Sequence, residues 1–361
     1  MGAMRRLGVA LAGILGGLAT FGAAAAEPAF QQHDFVLKDF HFRSGETLPE
    51  LKLHYYTLGQ PRKDAAGQIV NAVLILHGTG GSGHQFAAPQ FADVLFAPGG
   101  VLDPAKYFLI LPDDIGHGGS SKPSNGLKMH FPRYGYTDMV EAEHAVVTQA
   151  LGVRRLRLVM GTSMGCMHSF MYVEMYPDGA QAAMPLACQA LALGGRNRLW
   201  RKMAIDAIKA DPAWKGGDYA SEPTLGLRGA ENMLILVGQA PWPMQIAMPK
   251  GQQVDAWYEA ELPKRLANLD ANDLIYQLDA SRDYDPSRDL EKIKAALTWV
   301  NSGDDFINPP ELGLAQVEVK RIRRGRFVLI PAGPNTHGHG THTWAVFWKN
   351  DLADLLKRSG G

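Results

Sequence analysis

The sequence predicts an α/β fold, in which a mostly parallel central sheet carries flanking helices and an inserted helical cap. Short apolar runs alternate with helix-compatible segments along most of the chain, an order typical of parallel sheets. Residues 190–290 break this alternation with helix-like sequence. We therefore expect an N-terminal part of the core at 27–189, a cap at 190–290, and a C-terminal part of the core at 291–361.

The first 26 residues are typical of a secretory signal peptide. Arg5 and Arg6 precede an apolar stretch at 7–21, and four alanines at 23–26 offer a cleavage site. The stretch is shorter and richer in small residues than a typical membrane span, which favours a cleaved signal peptide. An uncleaved N-terminal anchor is the alternative. We expect export to the periplasm or secretion, with no membrane attachment after cleavage.

Charge and cysteine content exclude several classes of protein. The 36 basic and 36 acidic residues balance, so no nucleic-acid partner is predicted. The two cysteines, Cys166 and Cys188, form no CxxC or zinc-type spacing. A single bridge between them is one alternative, and a pair of buried thiols is the expectation.

The N-terminal half begins with a predicted antiparallel hairpin at 34–58, turning near Gly45. Apolar runs at 72–76 and 107–111 predict two strands that are covered on both faces of the sheet. A helix follows, with Asp138 as its expected N-cap and Gly152 as its stop signal.

The C-terminal half continues the pattern after the cap. Strands are predicted at 183–188, 296–300 and 326–330, and a closing amphipathic helix at 344–358. The cap is rich in methionine and tryptophan, which either fill its own core or line an apolar pocket. These residues are Trp200, Met203, Trp214, Met233, Trp242, Met244, Met248 and Trp257.

A nucleophile elbow is predicted around Ser163. An apolar run at 157–160 leads into Gly161-Thr162-Ser163-Met164-Gly165, and a helix-compatible segment follows. This strand, Gly-x-Ser-x-Gly turn and helix lift the serine hydroxyl above a sheet. Glycine is required at 161 and 165, because a Cβ there would clash with the neighbouring strand and helix.

An acid and a base follow the serine in the chain, each just beyond a late strand. Asp305 is the predicted acid, with its neighbour Asp304 as the alternative. His339 is the predicted base, with His342 second and His337 third. The three histidines could instead ligate a transition metal, but the Ser-Asp-His series already accounts for a histidine here, so no metal is predicted.

Acyl transfer also needs donors for an oxyanion. The N–H of Met164 is one predicted donor, and the N–H of Thr79, in the loop after the strand at 72–76, is the other. The glycines of that loop lack the Gly-Lys-Ser/Thr and dinucleotide patterns, so no cofactor is predicted.

With these motifs in place, the chain from about residue 50 onward resembles the homoserine O-acetyltransferase branch of the α/β-hydrolase fold. The resemblance includes the elbow, Tyr136-Thr137-Asp138-Met139-Val140, and the cap sequences at 207–219 and 269–285. It implies Ser163, Asp305 and His339 as the triad and Thr79 as an oxyanion donor.

Two departures from that branch shape the predicted function. The predicted signal peptide implies a compartment where acetyl-CoA is not expected, and the loops at 77–81 and 116–123 look like those of ordinary hydrolases. We expect an exported serine hydrolase acting on a small carboxylic ester, with an amide or lactone as variants. The alternatives are an O-acyltransferase that uses acyl-CoA and a non-enzymatic binding protein. The oligomeric state, a homodimer included, stays open.

Overall fold

The computed structural model describes residues 28–360, so the predicted signal peptide lies outside the described residues. The strands are β1 Gln31–His41, β2 Thr47–Leu58, β3 Ala72–Leu76, β4 Phe108–Pro112, β5 Leu158–Thr162, β6 Ala182–Leu186, β7 Ala296–Ser302 and β8 Gly325–Ile330. The α-helices are α1 Pro89–Leu95, α2 Tyr136–Ala145, α3 Met164–Met175, α4 Gly195–Ala210, α5 Thr224–Gly238, α6 Pro241–Ala247, α7 Gly251–Leu266, α8 Ala271–Asp279, α9 Leu314–Glu318 and α10 Lys349–Ser359.

The eight strands form one sheet in the order β1-β2-β4-β3-β5-β6-β7-β8. β1 and β2 form the antiparallel hairpin, β2 pairs antiparallel with β4, and all other pairs are parallel. The predicted mostly parallel α/β fold is confirmed. Because the carboxyl ends of the parallel strands meet at one edge, the loops that follow them share one end of the sheet.

The central strands are apolar throughout because helices cover both faces of the sheet. Every residue of β3 is buried, and successive side chains point to opposite faces. Leu74 and Leu76 belong to the core that includes α2 and α3 residues. Val73 and Ile75 belong to the core that includes Leu352 of α10. A sheet packed on both faces holds the ends of its strands in fixed positions.

The helices between β6 and β7 form what we call the helical cap, Gly195–Asp279. Its own apolar core joins α4, α5 and α8, and Trp214 packs against it, whereas the Trp242 side chain is exposed. The two segments that flank the cap meet, because Leu193 N–H donates to the Tyr284 carbonyl (3.3 Å) and the Tyr284 hydroxyl donates to the Gln189 carbonyl (2.7 Å).

Two predicted helix starts are wrong. α2 begins at Tyr136 after Gly135, so Asp138 lies inside the first turn, where its carboxylate accepts from Gly135 N–H at 2.8 Å. A carboxylate at that position still satisfies a free N–H of the helix start. The closing helix α10 begins at Lys349, because Ala345–Phe347 form a separate 3₁₀ turn.

Cys166 and Cys188 form a disulfide, with their Cα atoms 5.8 Å apart. The expectation of two buried thiols is therefore wrong. The bridge joins α3 to the residues just after β6. Within residues 28–360, no helix combines the length and apolarity needed to cross a membrane.

Candidate active site

Ser163 lies at the sharp turn between β5 and α3. Its backbone is left-handed (φ 56°, ψ −107°), a conformation that is strained for a residue with a side chain. A Cβ on Gly161 would lie 2.2 Å from the Gly165 carbonyl oxygen, and one on Gly165 would lie 2.2 Å from the Leu76 carbonyl oxygen. Both glycines are thus needed for close backbone approach, as the sequence predicts.

The structure brings Ser163, His339 and Asp305 together from three separate segments. His339 Nε2 lies 2.8 Å from Ser163 Oγ, and His339 Nδ1 lies 2.9 Å from Asp305 Oδ2. An ionised carboxylate can only accept, so Nδ1 carries the proton and Nε2 accepts from the serine hydroxyl. This is the arrangement in which an imidazole can take a proton from serine.

Asp305 is held as a carboxylate in a buried position. Burial favours its neutral form, but the nearby His339 and hydrogen bonds from His339 and Asn308 outweigh burial and lower the pKa of Asp305. Its Oδ1 also accepts from Ile307 N–H at 2.8 Å and Asn308 N–H at 3.1 Å. These donors leave the carboxylate one fixed orientation toward the histidine.

Asp304, the alternative acid, points to a different part of the same loop. Its Oδ2 accepts from the Thr336 hydroxyl at 2.7 Å and from Gly338 N–H at 3.2 Å. Asp304 therefore binds the backbone just before His339, and within residues 28–360 the carboxylate that contacts the imidazole is that of Asp305. Its contacts are those of a residue that positions the histidine loop.

The other two histidines do not take the place of His339. The His337 ring stacks on Trp344, with centroids 4.1 Å apart. His342 is half-buried beside His339, with ring centroids 5.0 Å apart. Desolvation first, then His339, lowers the pKa of His342 to about 3. In the described chain the three histidines do not converge as a metal-binding set, since each faces a different partner.

The predicted oxyanion donors lie next to Ser163. Met164 is the first residue of α3, where no carbonyl of its own helix can accept from its N–H. Thr79 lines the same cavity as Ser163 and His339. The loop that carries Thr79 is fixed by His77. The His77 Nε2 accepts from Asp114 N–H at 3.1 Å, so the ring proton is on Nδ1. That Nδ1 faces the Gly78 carbonyl at 2.8 Å. Thr79 and Met164 therefore lie beside Ser163 on two different elements, and their role as oxyanion donors stays a prediction.

Ser163 opens into a cavity of about 380 Å³ between the sheet and the helical cap. The cap contributes apolar side chains, including Trp200, Leu234 and Leu274, and charged side chains, including Arg201 and Glu231. A cavity of this kind accommodates a small molecule with a few fixed polar contacts. Trp200, one of the cap tryptophans expected either in the cap core or at a pocket, therefore lines this cavity.

Sequence reasoning missed a buried polar cluster behind the elbow, formed by Asp114, Glu143 and His168. His168 Nδ1 lies 2.6 Å from Glu143 Oε1 and 3.6 Å from Asp114 Oδ2. Burial raises the pKa of Glu143 to about 8 and lowers that of His168. The three residues come from the loop after β4, α2 and α3, so no local spacing in the sequence signals the cluster.

Comparisons with known proteins agree with this fold. The family model described as the alpha/beta hydrolase fold matches residues 71–236. A probable acyltransferase from Methanothermobacter thermautotrophicus is 30% identical over 282 residues, covering 77% of this chain and 84% of the relative. A homoserine O-acetyltransferase from Chlorobaculum parvum is 30% identical over 325 residues, covering 82% and 87%.

Solved structures show the same fold at lower identity. An acetylester hydrolase from Corynebacterium glutamicum superposes with a TM-score of 0.79 at 22% identity, over 91% of this chain and 96% of that chain. A homoserine O-acetyltransferase from Bacillus anthracis gives a TM-score of 0.78 at 22% identity, over 91% and 98%. The sheet order, the elbow and the two relatives together show that the chain belongs to the α/β-hydrolase superfamily, with homoserine O-acetyltransferase-like homologues.

Proposed function

We propose that this protein is a serine hydrolase that cleaves a small carboxylic ester through Ser163, His339 and Asp305. The observation that carries the proposal is the continuous hydrogen-bonded series from Ser163 Oγ to His339 (2.8 Å) to Asp305 (2.9 Å) at the floor of a cavity. Serine at its ordinary pKa is a weak nucleophile, so this series supplies the base that it needs.

The proposed reaction proceeds through an acyl-enzyme. Ser163 Oγ attacks the ester carbonyl while His339 Nε2 takes its proton, and the N–H groups of Thr79 and Met164 stabilise the oxyanion. The tetrahedral species collapses, His339 protonates the departing alcohol, and Asp305 stabilises the transient imidazolium. Water then attacks the acyl group, His339 takes its proton, and the carboxylic acid leaves as Ser163 regains its hydrogen.

The experiment uses purified mature protein and p-nitrophenyl acetate. Ser163→Ala is expected to reduce kcat by about four orders of magnitude or more. Asp304→Asn is the matched control for Asp305→Asn, because the two carboxylates are adjacent but only Asp305 contacts the imidazole. Full activity in Ser163→Ala, with the fold intact by circular dichroism, would contradict the proposal.

The second candidate is an O-acyltransferase, in which a bound alcohol replaces water at the acyl-enzyme. The two relatives at 30% identity favour it, since they carry the names probable acyltransferase and homoserine O-acetyltransferase. The same assay separates the candidates when homoserine is added and acetyl-CoA is tested as donor. A constant yield of free acid supports hydrolysis, whereas accumulation of O-acetylhomoserine supports transfer.

We also propose that the protein works outside the cytoplasm. The signal-like sequence at 1–26 supports export, and the Cys166–Cys188 disulfide fits an oxidising compartment. Fractionation of cells expressing the full chain, with detection of the mature N-terminus by mass spectrometry, tests this. Recovery of the uncleaved chain in the cytosol would refute it.

A further inference from the structure

Arg201 is a buried cation without a charged partner. Its side chain is in α4, and the residue is only 2% exposed. Its Nε donates to Asn197 Oδ1 at 3.2 Å, while its buried Nη1 has no hydrogen-bond partner in the described chain. Arginine remains charged in proteins, and an unpaired buried charge is strongly destabilising. A partner is therefore to be expected from outside the chain.

The other arginines of the cap either pair with a carboxylate, as Arg198 and Arg265 do, or are exposed to solvent, as Arg196 and Arg228 are. Arg198, on the same helix, contacts Asp279 at 3.1 Å. Arg265 contacts Glu261 at 3.1 Å and Glu231 at 3.8 Å. Among residues 28–360, no carboxylate forms an ion pair with Arg201, whose guanidinium instead lies 4.7 Å from the Trp200 ring centroid. The cap can thus provide carboxylates for its arginines, but provides none here.

Arg201 is located at the same cavity as the proposed reaction centre. Arg201 lines the same cavity of about 380 Å³ as Ser163 and His339. Burial lowers the pKa of its guanidinium, and the neighbouring Tyr136 hydroxyl offsets part of that effect. A molecule whose ester is at Ser163 therefore shares its cavity with an unpaired guanidinium, which is a strong and directional binder of carboxylates.

We propose that Arg201 recognises a carboxylate on the substrate, so that the preferred substrates are esters that also carry a carboxylate group. This inference rests on the proposed ester hydrolysis and narrows its substrate class. The Arg201 guanidinium donates to the substrate carboxylate through Nη1 while Ser163 attacks the ester carbonyl. The carboxylate belongs either to the acyl part or to the alcohol part of the ester, and the experiment separates the two.

The experiment compares anionic and neutral esters of similar size. Monoethyl succinate against ethyl butanoate tests a carboxylate on the acyl side, and 3-acetoxypropanoate against butyl acetate tests one on the alcohol side. In the wild type, kcat/KM for the anionic ester is expected to exceed that for its neutral counterpart by about tenfold or more on one side. Preference for the neutral ester on both sides would overturn the proposal.

Arg201→Met keeps the length of the side chain and removes its charge. The anionic-to-neutral ratio of kcat/KM is expected to fall by about 10- to 100-fold. Lys202→Met is the matched control, because Lys202 is the next residue, is exposed, and pairs with Asp206. It removes the same charge from an exposed position of α4, so its ratio should stay close to that of the wild type. An unchanged ratio in Arg201→Met would overturn the proposal.

A binding measurement covers the cases in which kinetics cannot decide. If Arg201→Met does not fold, or if no ester is hydrolysed, the wild-type protein is titrated calorimetrically with glutarate and with its neutral diamide. Glutarate binding about tenfold tighter than diamide binding supports the anion site, and equal or absent binding overturns it. Absence of all ester hydrolysis, with glutarate still bound, would count against the proposed function alone.

Discussion

Replacing Glu143 by glutamine should flatten the dependence of stability on pH. Glu143 is buried against His168, and burial raises the pKa of its carboxyl from 4.5 to about 8. Between pH 4.5 and pH 8 the unfolded chain loses the Glu143 proton, whereas the folded chain keeps it. The contribution of Glu143 to the free energy of unfolding is therefore fully present below pH 4.5 and is lost as the pH rises toward 8. The loss per proton is at most about 1.4 kcal/mol per pH unit.

Glutamine keeps the shape of the side chain and can still hydrogen bond to His168, but it cannot ionise. We therefore expect the wild type to lose stability between pH 5.5 and 7.5 by up to about 1.4 kcal/mol per unit more than Glu143→Gln. Urea unfolding at intervals across this range, at constant ionic strength, measures the difference. Burial, and after it the Glu143 charge, raises the pKa of Asp114; because burial remains in Glu143→Gln, Asp114 leaves a residual slope in the variant.

The control is Glu50→Gln, which removes an exposed carboxylate paired with Lys38. It should show the wild-type slope. If Glu143→Gln and the wild type give parallel stability profiles, the cluster binds no extra proton at neutral pH, and the argument from burial is wrong.

Three further changes test the active-site end of the sheet. Gly165→Ala should prevent stable folding or lower the melting temperature by many degrees, since its Cβ would lie 2.2 Å from the Leu76 carbonyl oxygen; a wild-type melting curve would contradict this. Asp305→Asn should lower kcat by about 10³- to 10⁴-fold, with a much smaller effect from Asp304→Asn, as measured by ester turnover. Cys188→Ser, which opens the bridge to Cys166, should destabilise the protein by about 3 kcal/mol in urea unfolding, and dithiothreitol should reproduce this loss in the wild type alone.

The sequence predicts well those features that are set by neighbouring residues. The turn around Ser163 requires glycines at 161 and 165 whatever the rest of the chain does, and the apolar run of β3 indicates a strand covered on both faces. The structure adds that Asp305 rather than Asp304 contacts His339. The catalytic assignment of these residues stays a prediction until the variants are measured.

Features that depend on distant residues could not be read from spacing. Asp114, Glu143 and His168 come from three segments, and only the folded packing of α2 against α3 brings them together. The disulfide was missed because two cysteines 22 residues apart fit two buried thiols equally well. Arg201 lies among other charged residues of a helix, and only its burial distinguishes it from a solvated surface arginine.

Because the segments that flank the cap meet at Leu193 and Tyr284, the cap is a module that can be exchanged. A segment whose entry and exit touch can be replaced by another of different length without displacing the strands on either side. The sheet would keep Ser163, Asp305 and His339 in place while a grafted cap supplied a new cavity wall. Selectivity among substrates could therefore be redesigned, or could diverge between relatives, without alteration of the reacting groups.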